Sequence, residues 1–272
     1  MPDAIPTDAY AMIIGAMKSG TTSLYAYLQD HPQICPASTK EPEFFSTNQL
    51  HGAQTANYND LFSFDSSVHK YTLEGSTGYT KHPFESDVPK RIFDYKINPK
   101  FIYIIRDPFE RIESHYNSMK AFAWWQQDIV HTHLISISNY FLQLEQYRRY
   151  FPIENILLLD FDELKNSPSL VLQKVYAFLD ISHDYFPEAF EATNVTPSVP
   201  KLIRQVHKSP IASLVSHAPP PLKRLGRAIL RKASPPVKRL LTAKERAFVH
   251  NELAQDISNL QQVYGFDVSK WC

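Results

Sequence analysis

The stretch AMIIGAMKSGTTSLYAYLQD (11–30) decides how the rest of the chain is read. Its first five residues form an apolar run without alternation, as expected of a strand buried on both faces. The last ten, TTSLYAYLQD (21–30), carry helical spacing. Between them lies GAMKSGTTS (15–23), where two glycines, a lysine and a run of hydroxyls sit at the passage from strand to helix. Such a loop aims backbone N–H groups and the positive end of a helix dipole at one point, which suits an anion. Gly15 and Gly20 permit the turn and a close backbone approach.

Working outward, the same alternation recurs. YTLEG (71–75) precedes PKRIFDYKI (89–97), FIYII (101–105) precedes PFERIESHYNSMK (108–120), and NILLL (155–159) precedes helical stretches that end near Leu179. Strands each followed by a helix imply βαβ units on a parallel sheet. The expectation is an α/β fold: a single P-loop-like domain over residues 1–272 with a central parallel sheet flanked by helices. Ligands of such folds lie at the carboxyl ends of the strands.

Composition agrees with one large core, since 43% of the 272 residues are hydrophobic and 13% aromatic. The formal net charge is zero, so no global field draws the protein to nucleic acid. With only Cys35 and Cys272 and no signal-like or membrane-spanning start, the expected compartment is the cytoplasm. The balance hides an asymmetry: residues 201–241 hold ten Lys or Arg and no acid, and are interrupted by prolines such as Pro219, Pro220, Pro235 and Pro236. A closing helix is expected from Thr242 to Tyr264, with Thr242 and Glu245 spaced as a capping box.

In the frame GxxxxGK[ST], Gly15 and Gly20 are in register, but Thr21 stands where the lysine belongs and Thr22 fills the hydroxyl place. The lysine is three residues upstream, at Lys18. An ATP site needs its lysine on the β- and γ-phosphates beside Mg²⁺. A donor with one phosphate carrying a sulfuryl group needs a cation at the bridging oxygen, and Lys18 suits that. FIYIIRDPFERIESHY (101–116) adds a strand ending in Arg106, then Asp107-Pro108 opening a helix that carries Ser114. An arginine and a hydroxyl can together grip a phosphate.

At these two stretches the chain resembles the PAPS-dependent sulfotransferases (PAPS, 3′-phosphoadenosine 5′-phosphosulfate), above all bacterial members and the domains that modify heparan sulfate. The resemblance implies donor contacts from Lys18, Ser19, Gly20, Thr21, Thr22 and Ser23 at the 5′ end, and from Arg106 and Ser114 at the 3′-phosphate. It implies no metal, and adenosine 3′,5′-bisphosphate as product. The lysine that ends NVTPSVPK (194–201), Lys201, is nominated by the resemblance over the same phosphate. Arg111 reads as a structural helix residue.

STKEPEFFS (38–46) places Glu41 before Pro42, which is expected to hold it extended, with Phe44 and Phe45 giving partial burial. In the heparan-type enzymes a glutamate followed two residues later by a pair of phenylalanines supplies the catalytic base, so the resemblance makes Glu41 the base, in a catalytic pair with Lys18, with Glu43 as second choice. LEGSTGYTK (73–81) ends a strand in Glu74, a candidate to touch substrate or orient Lys18, or else to hold structure; Gly75 stands where the family has a lysine. Trp124 and Trp125 could wall an acceptor ring or pack in the core. His131 and His133 have metal-like spacing but no third ligand near them.

The rival readings are a P-loop kinase using ATP, with Asp160 after NILLL as its metal aspartate, and a non-catalytic nucleotide- or membrane-binding protein using 201–241. The expected acceptor is a saccharide or other small-molecule hydroxyl, and the oligomeric state is open.

Overall fold

Every residue of β1 (Tyr10–Gly15) is buried, which is why its sequence shows no alternation. The computed structural model describes residues 3–47, 56–121, 126–190 and 238–271. β1 is followed by α1 (Thr21–Leu28), β2 (Ile34–Pro36), β3 (Tyr71–Gly75), α2 (Val88–Asp94), β4 (Lys100–Ile105) and α3 (Pro108–Ala121). After these come α4 (Thr132–Ser136), α5 (Tyr140–Arg148), β5 (Ile156–Asp160), α6 (Phe161–Asn166), α7 (Pro168–Leu179) and α8 (Ala243–Tyr264).

The five strands form one parallel sheet in the order β2-β3-β1-β4-β5. The chain lays its early strands on one side of β1 and its later ones on the other. The crevice at the carboxyl ends of β1 and β4 is therefore the switch point of the sheet, where such folds take their ligands.

Alternate residues of each strand feed two cores. Tyr10, Met12, Ile14, Phe101, Tyr103 and Ile105 face an aromatic layer that includes Phe45, Tyr58 and Tyr79. Ala11, Ile13, Ile102 and Ile104 face Leu24, Leu28 and Val175 on α1 and α7. Each fully buried aliphatic or aromatic side chain contributes roughly 1.5–3 kcal/mol.

The long C-terminal helix docks on α3 and α4 through Val249 and Leu253 against Phe109, Ile112 and Leu134. Asp256 of α8 accepts the Phe141 and Leu142 N–H groups at 3.0 and 2.9 Å, capping α5, and burial pushes its carboxyl up to about 6. At the start of α8 the expected capping box forms: Glu245 N–H donates to Thr242 Oγ1, and Thr242 N–H donates to Glu245 at 2.7 Å. Thr242→Ala is expected to cost about 1 kcal/mol. For a chain of this size a melting point lower by roughly 2–4 °C would register it.

Candidate active site

The loop after β1 is wound by positive φ at Gly15 (148°), Lys18 (73°) and Gly20 (85°). A Cβ on Gly15 would meet Thr80 Oγ1 at 2.2 Å, and one on Gly20 would meet Leu164 and Phe161 at 3.1 and 3.2 Å, so both places require glycine. Lys18 has a side chain and still holds the left-handed conformation, at a cost of about 1 kcal/mol. Ser19 is fully buried, and its Oγ finds no hydrogen-bond partner among the described residues. Gly20, the N-cap of α1, has no side chain to offer, and the first turn carries no acid. The loop thus holds an orphan hydroxyl, helix N–H groups and a partly buried lysine, a set that fits an oxyanion. Burial is the chief cause holding the Lys18 ammonium below its ordinary value; Arg106 adds to this, and the charge of Glu41 opposes it.

The end of β4 meets this loop directly. Arg106 Nη1 donates to the Lys18 carbonyl at 3.1 Å, Nη2 pairs with Glu110 at 2.7 Å, and the guanidinium lies 4.4 Å over the Phe161 ring. Its Nε is buried without a partner among the described residues. Asp107 accepts from Phe109 N and Glu110 N at 2.8 and 3.1 Å, so it caps α3 just ahead of Pro108. Ser114 lies about two turns along that helix, partly buried. Arg111 is wholly buried and turned into the protein.

Glu41 departs from its expected state in two ways. Its φ is +53°, not extended, and its side chain is 41% exposed, so the phenylalanines do not shelter it. The cause lies in Glu43, whose N–H donates to Ser76 Oγ at 3.0 Å and whose carboxylate accepts from Gly78 N at 2.8 Å and Ser46 Oγ at 2.5 Å. These bonds wind the segment, with Glu43 itself at φ 49°, and send Phe45 inward against Tyr58 and Tyr95. Glu43 is thereby held by the surrounding segment, and Glu41 keeps an open side chain. Lys40, which the sequence reading passed over, reaches Thr22 Oγ1 at 2.9 Å and lies 3.8 Å from Glu41, tying this segment to the loop. Its adjacency to Glu41 in STKEPEFFS was the signal to follow.

Glu74 has no exposed surface. It accepts from Tyr58 Oη at 2.9 Å and Ser76 Oγ at 2.8 Å, with Tyr79 a further donor. Burial outweighs these bonds and raises its carboxyl to about 7. Between its unfolded value near 4.5 and about 7 the folded chain holds a proton that the unfolded chain has lost. Stability therefore falls as pH rises through that window. Glu74→Gln is expected to flatten this slope in denaturation curves taken across it.

Asp160 accepts from Asp162 N at 2.6 Å and caps α6 rather than projecting as a metal ligand. His131 likewise spends Nδ1 on His133 N, at the start of α4. Trp124, Trp125, Lys201 and the basic segment up to residue 237 lie outside the described residues.

The family whose model matches residues 8–203 is described as "Sulfotransferase domain". The chain is 28% identical over 200 residues to the bifunctional heparan sulfate N-deacetylase/N-sulfotransferase 3 of Mus musculus, covering 64% of this chain and 22% of that protein. It is 28% identical over 188 residues to the heparan sulfate glucosamine 3-O-sulfotransferase 5 of Homo sapiens, covering 63% of this chain and 53% of that one. The chain thus matches between about a fifth and about half the length of these relatives. In three dimensions a sulfotransferase from Alicyclobacillus acidocaldarius superposes with a TM-score of 0.70 over 97% of this chain and 98% of that one, at 19% identity, a likeness of fold.

Proposed function

This chain belongs to the sulfotransferase domain family, and we propose that it moves the sulfuryl group of 3′-phosphoadenosine 5′-phosphosulfate to the hydroxyl of a saccharide or other small-molecule alcohol or phenol. The observation that carries the reading is the meeting of Lys18, the orphan Ser19 hydroxyl and Arg106 at the carboxyl ends of two adjacent strands.

In this reading the loop N–H groups and the hydroxyls of Ser19, Thr21, Thr22 and Ser23 hold the 5′-phosphate, while Arg106 and Ser114 hold the 3′-phosphate. Lys18 stabilises the charge that gathers on the oxygen leaving with the 5′-phosphate. Glu41 takes the proton of the acceptor hydroxyl. The sulfur–oxygen bond to the donor breaks as the sulfur–oxygen bond to the acceptor forms, leaving a sulfate ester and adenosine 3′,5′-bisphosphate. Support for Glu41 over Glu43 comes from its open side chain and from its electrostatic contact with Lys18.

Calorimetric titration tests the donor assignment. Adenosine 3′,5′-bisphosphate should bind in the presence of a chelator and more tightly than ATP with Mg²⁺. Tight binding of ATP only when Mg²⁺ is present would overturn it.

A further inference from the structure

Arg111 is a fully buried guanidinium whose acceptors are all neutral. Its Nε donates to Ser138 Oγ at 2.6 Å, Nη1 to His115 Nδ1 at 3.2 Å, and Nη2 to the Leu134 carbonyl. Among the described residues no carboxylate pairs with it. Breaking a buried ion pair by removing its anion typically costs about 3–5 kcal/mol, so a buried cation with no anion beside it is an unusual thing for a fold to keep.

Among the described residues, the charged groups that act on Arg111 and His115 near neutral pH are cations. His115 is 2% exposed, and its ring lies 6.0 Å from that of His133. Lys81 acts on both histidines, and Lys18 acts on His115. Burial first, and then these cations, hold both imidazoles below their ordinary range, His133 at about 4. Both rings are therefore neutral near pH 7. Because Arg111 can only donate, His115 Nδ1 must accept, which leaves Nε2 carrying the hydrogen. Glu85, the acid nearest to Lys81 in the chain, is already taken up by Thr47 N and Oγ1 at 2.8 and 2.6 Å.

The cluster also has an apolar side. Phe84 is 44% exposed and stands edge-on to His133 at 4.4 Å. Lys81 and His133 are partly buried, so both reach solvent beside it. Lys81 and Phe84 follow β3, whereas Lys18 and Arg106 follow β1 and β4, so the cluster begins on the far side of β1 from Arg106. A bare ion would have no use for an exposed phenyl ring. A ring bearing an acid would.

We infer that Lys81, His133 and Phe84, backed by the buried Arg111 and His115, form a subsite for an anionic group of the acceptor, a carboxylate or sulfate carried on a ring that also bears the hydroxyl to be sulfated. This rests on the sulfotransferase reading, with Lys18 marking the donor side of the cluster.

The test uses the whole chain saturated with adenosine 3′,5′-bisphosphate, with two matched pairs of probes titrated calorimetrically: 4-hydroxybenzoate against 4-hydroxybenzamide, and methyl glucuronide against methyl glucoside. In at least one pair the acid should bind about tenfold more tightly than its neutral partner. Lys81→Ala should bring that preference to within about twofold and Lys81→Arg should keep it, with binding of the bisphosphate unchanged in both. Equal or absent binding of acid and neutral probes in both pairs overturns the inference. So does a Lys81→Ala variant that loses the bisphosphate, since the cluster would then serve the donor. Failure of the unaltered chain to bind the bisphosphate would instead bring down the sulfotransferase assignment on which the subsite rests.

Discussion

Replacing Lys18 by alanine is expected to lower kcat for sulfuryl transfer by about three orders of magnitude, on the scale of losing a preorganised group aimed at developing charge. The ammonium is partly buried and makes no hydrogen bond or ion pair among the described residues. The loop therefore does not depend on its charge. The contact that does hold the loop, Arg106 Nη1 to the Lys18 carbonyl, uses backbone and survives the substitution. The φ of 73° is as available to alanine as to lysine, so the fold has no separate reason to fail. Initial rates measured alongside a melting curve would read the effect: a loss in kcat with an unchanged melting point is expected, and a rate within about tenfold of the original would remove Lys18 from the chemistry.

Glu41→Gln carries the second large effect, a fall in kcat of about two to four orders of magnitude with binding of adenosine 3′,5′-bisphosphate kept within about twofold. Glutamine keeps the shape and cannot accept the proton, so the chemical step is lost while the donor site keeps its form. Glu43→Gln is the contrast. Its carboxylate is held by Gly78 N and Ser46 Oγ, so this change should lower the melting point and leave kcat within about tenfold of the original. If the two variants exchanged these signatures, the base would be Glu43.

What could be read from the sequence was local. The strand, glycine loop and helix of residues 11–30, the Asp107-Pro108 helix start and the Thr242–Glu245 capping box each depend on residues within a few positions of one another. Strand β2 is three residues long and takes its place only by pairing with β3, so no periodicity could announce it. The turn at Glu41 is set by Ser76 and Gly78, more than thirty residues away, and these override the preference of a residue before proline. Glu74 could be read as a ligand contact or as a structural acid alike, because its covering tyrosines, Tyr58 and Tyr79, come from separate segments. Arg111 read as structural, and its burial agrees. That no acid among the described residues pairs with it emerges only when α3, α4 and the end of β3 are brought together.

The chain is incubated with PAPS labelled in its sulfur and a panel of hydroxyl acceptors, in a chelator, and the products are separated. Label is expected in a sulfate ester, with adenosine 3′,5′-bisphosphate released in equal amount. Acceptors that stay unlabelled under these conditions but gain phosphate from ATP once Mg²⁺ is added would contradict the donor assignment.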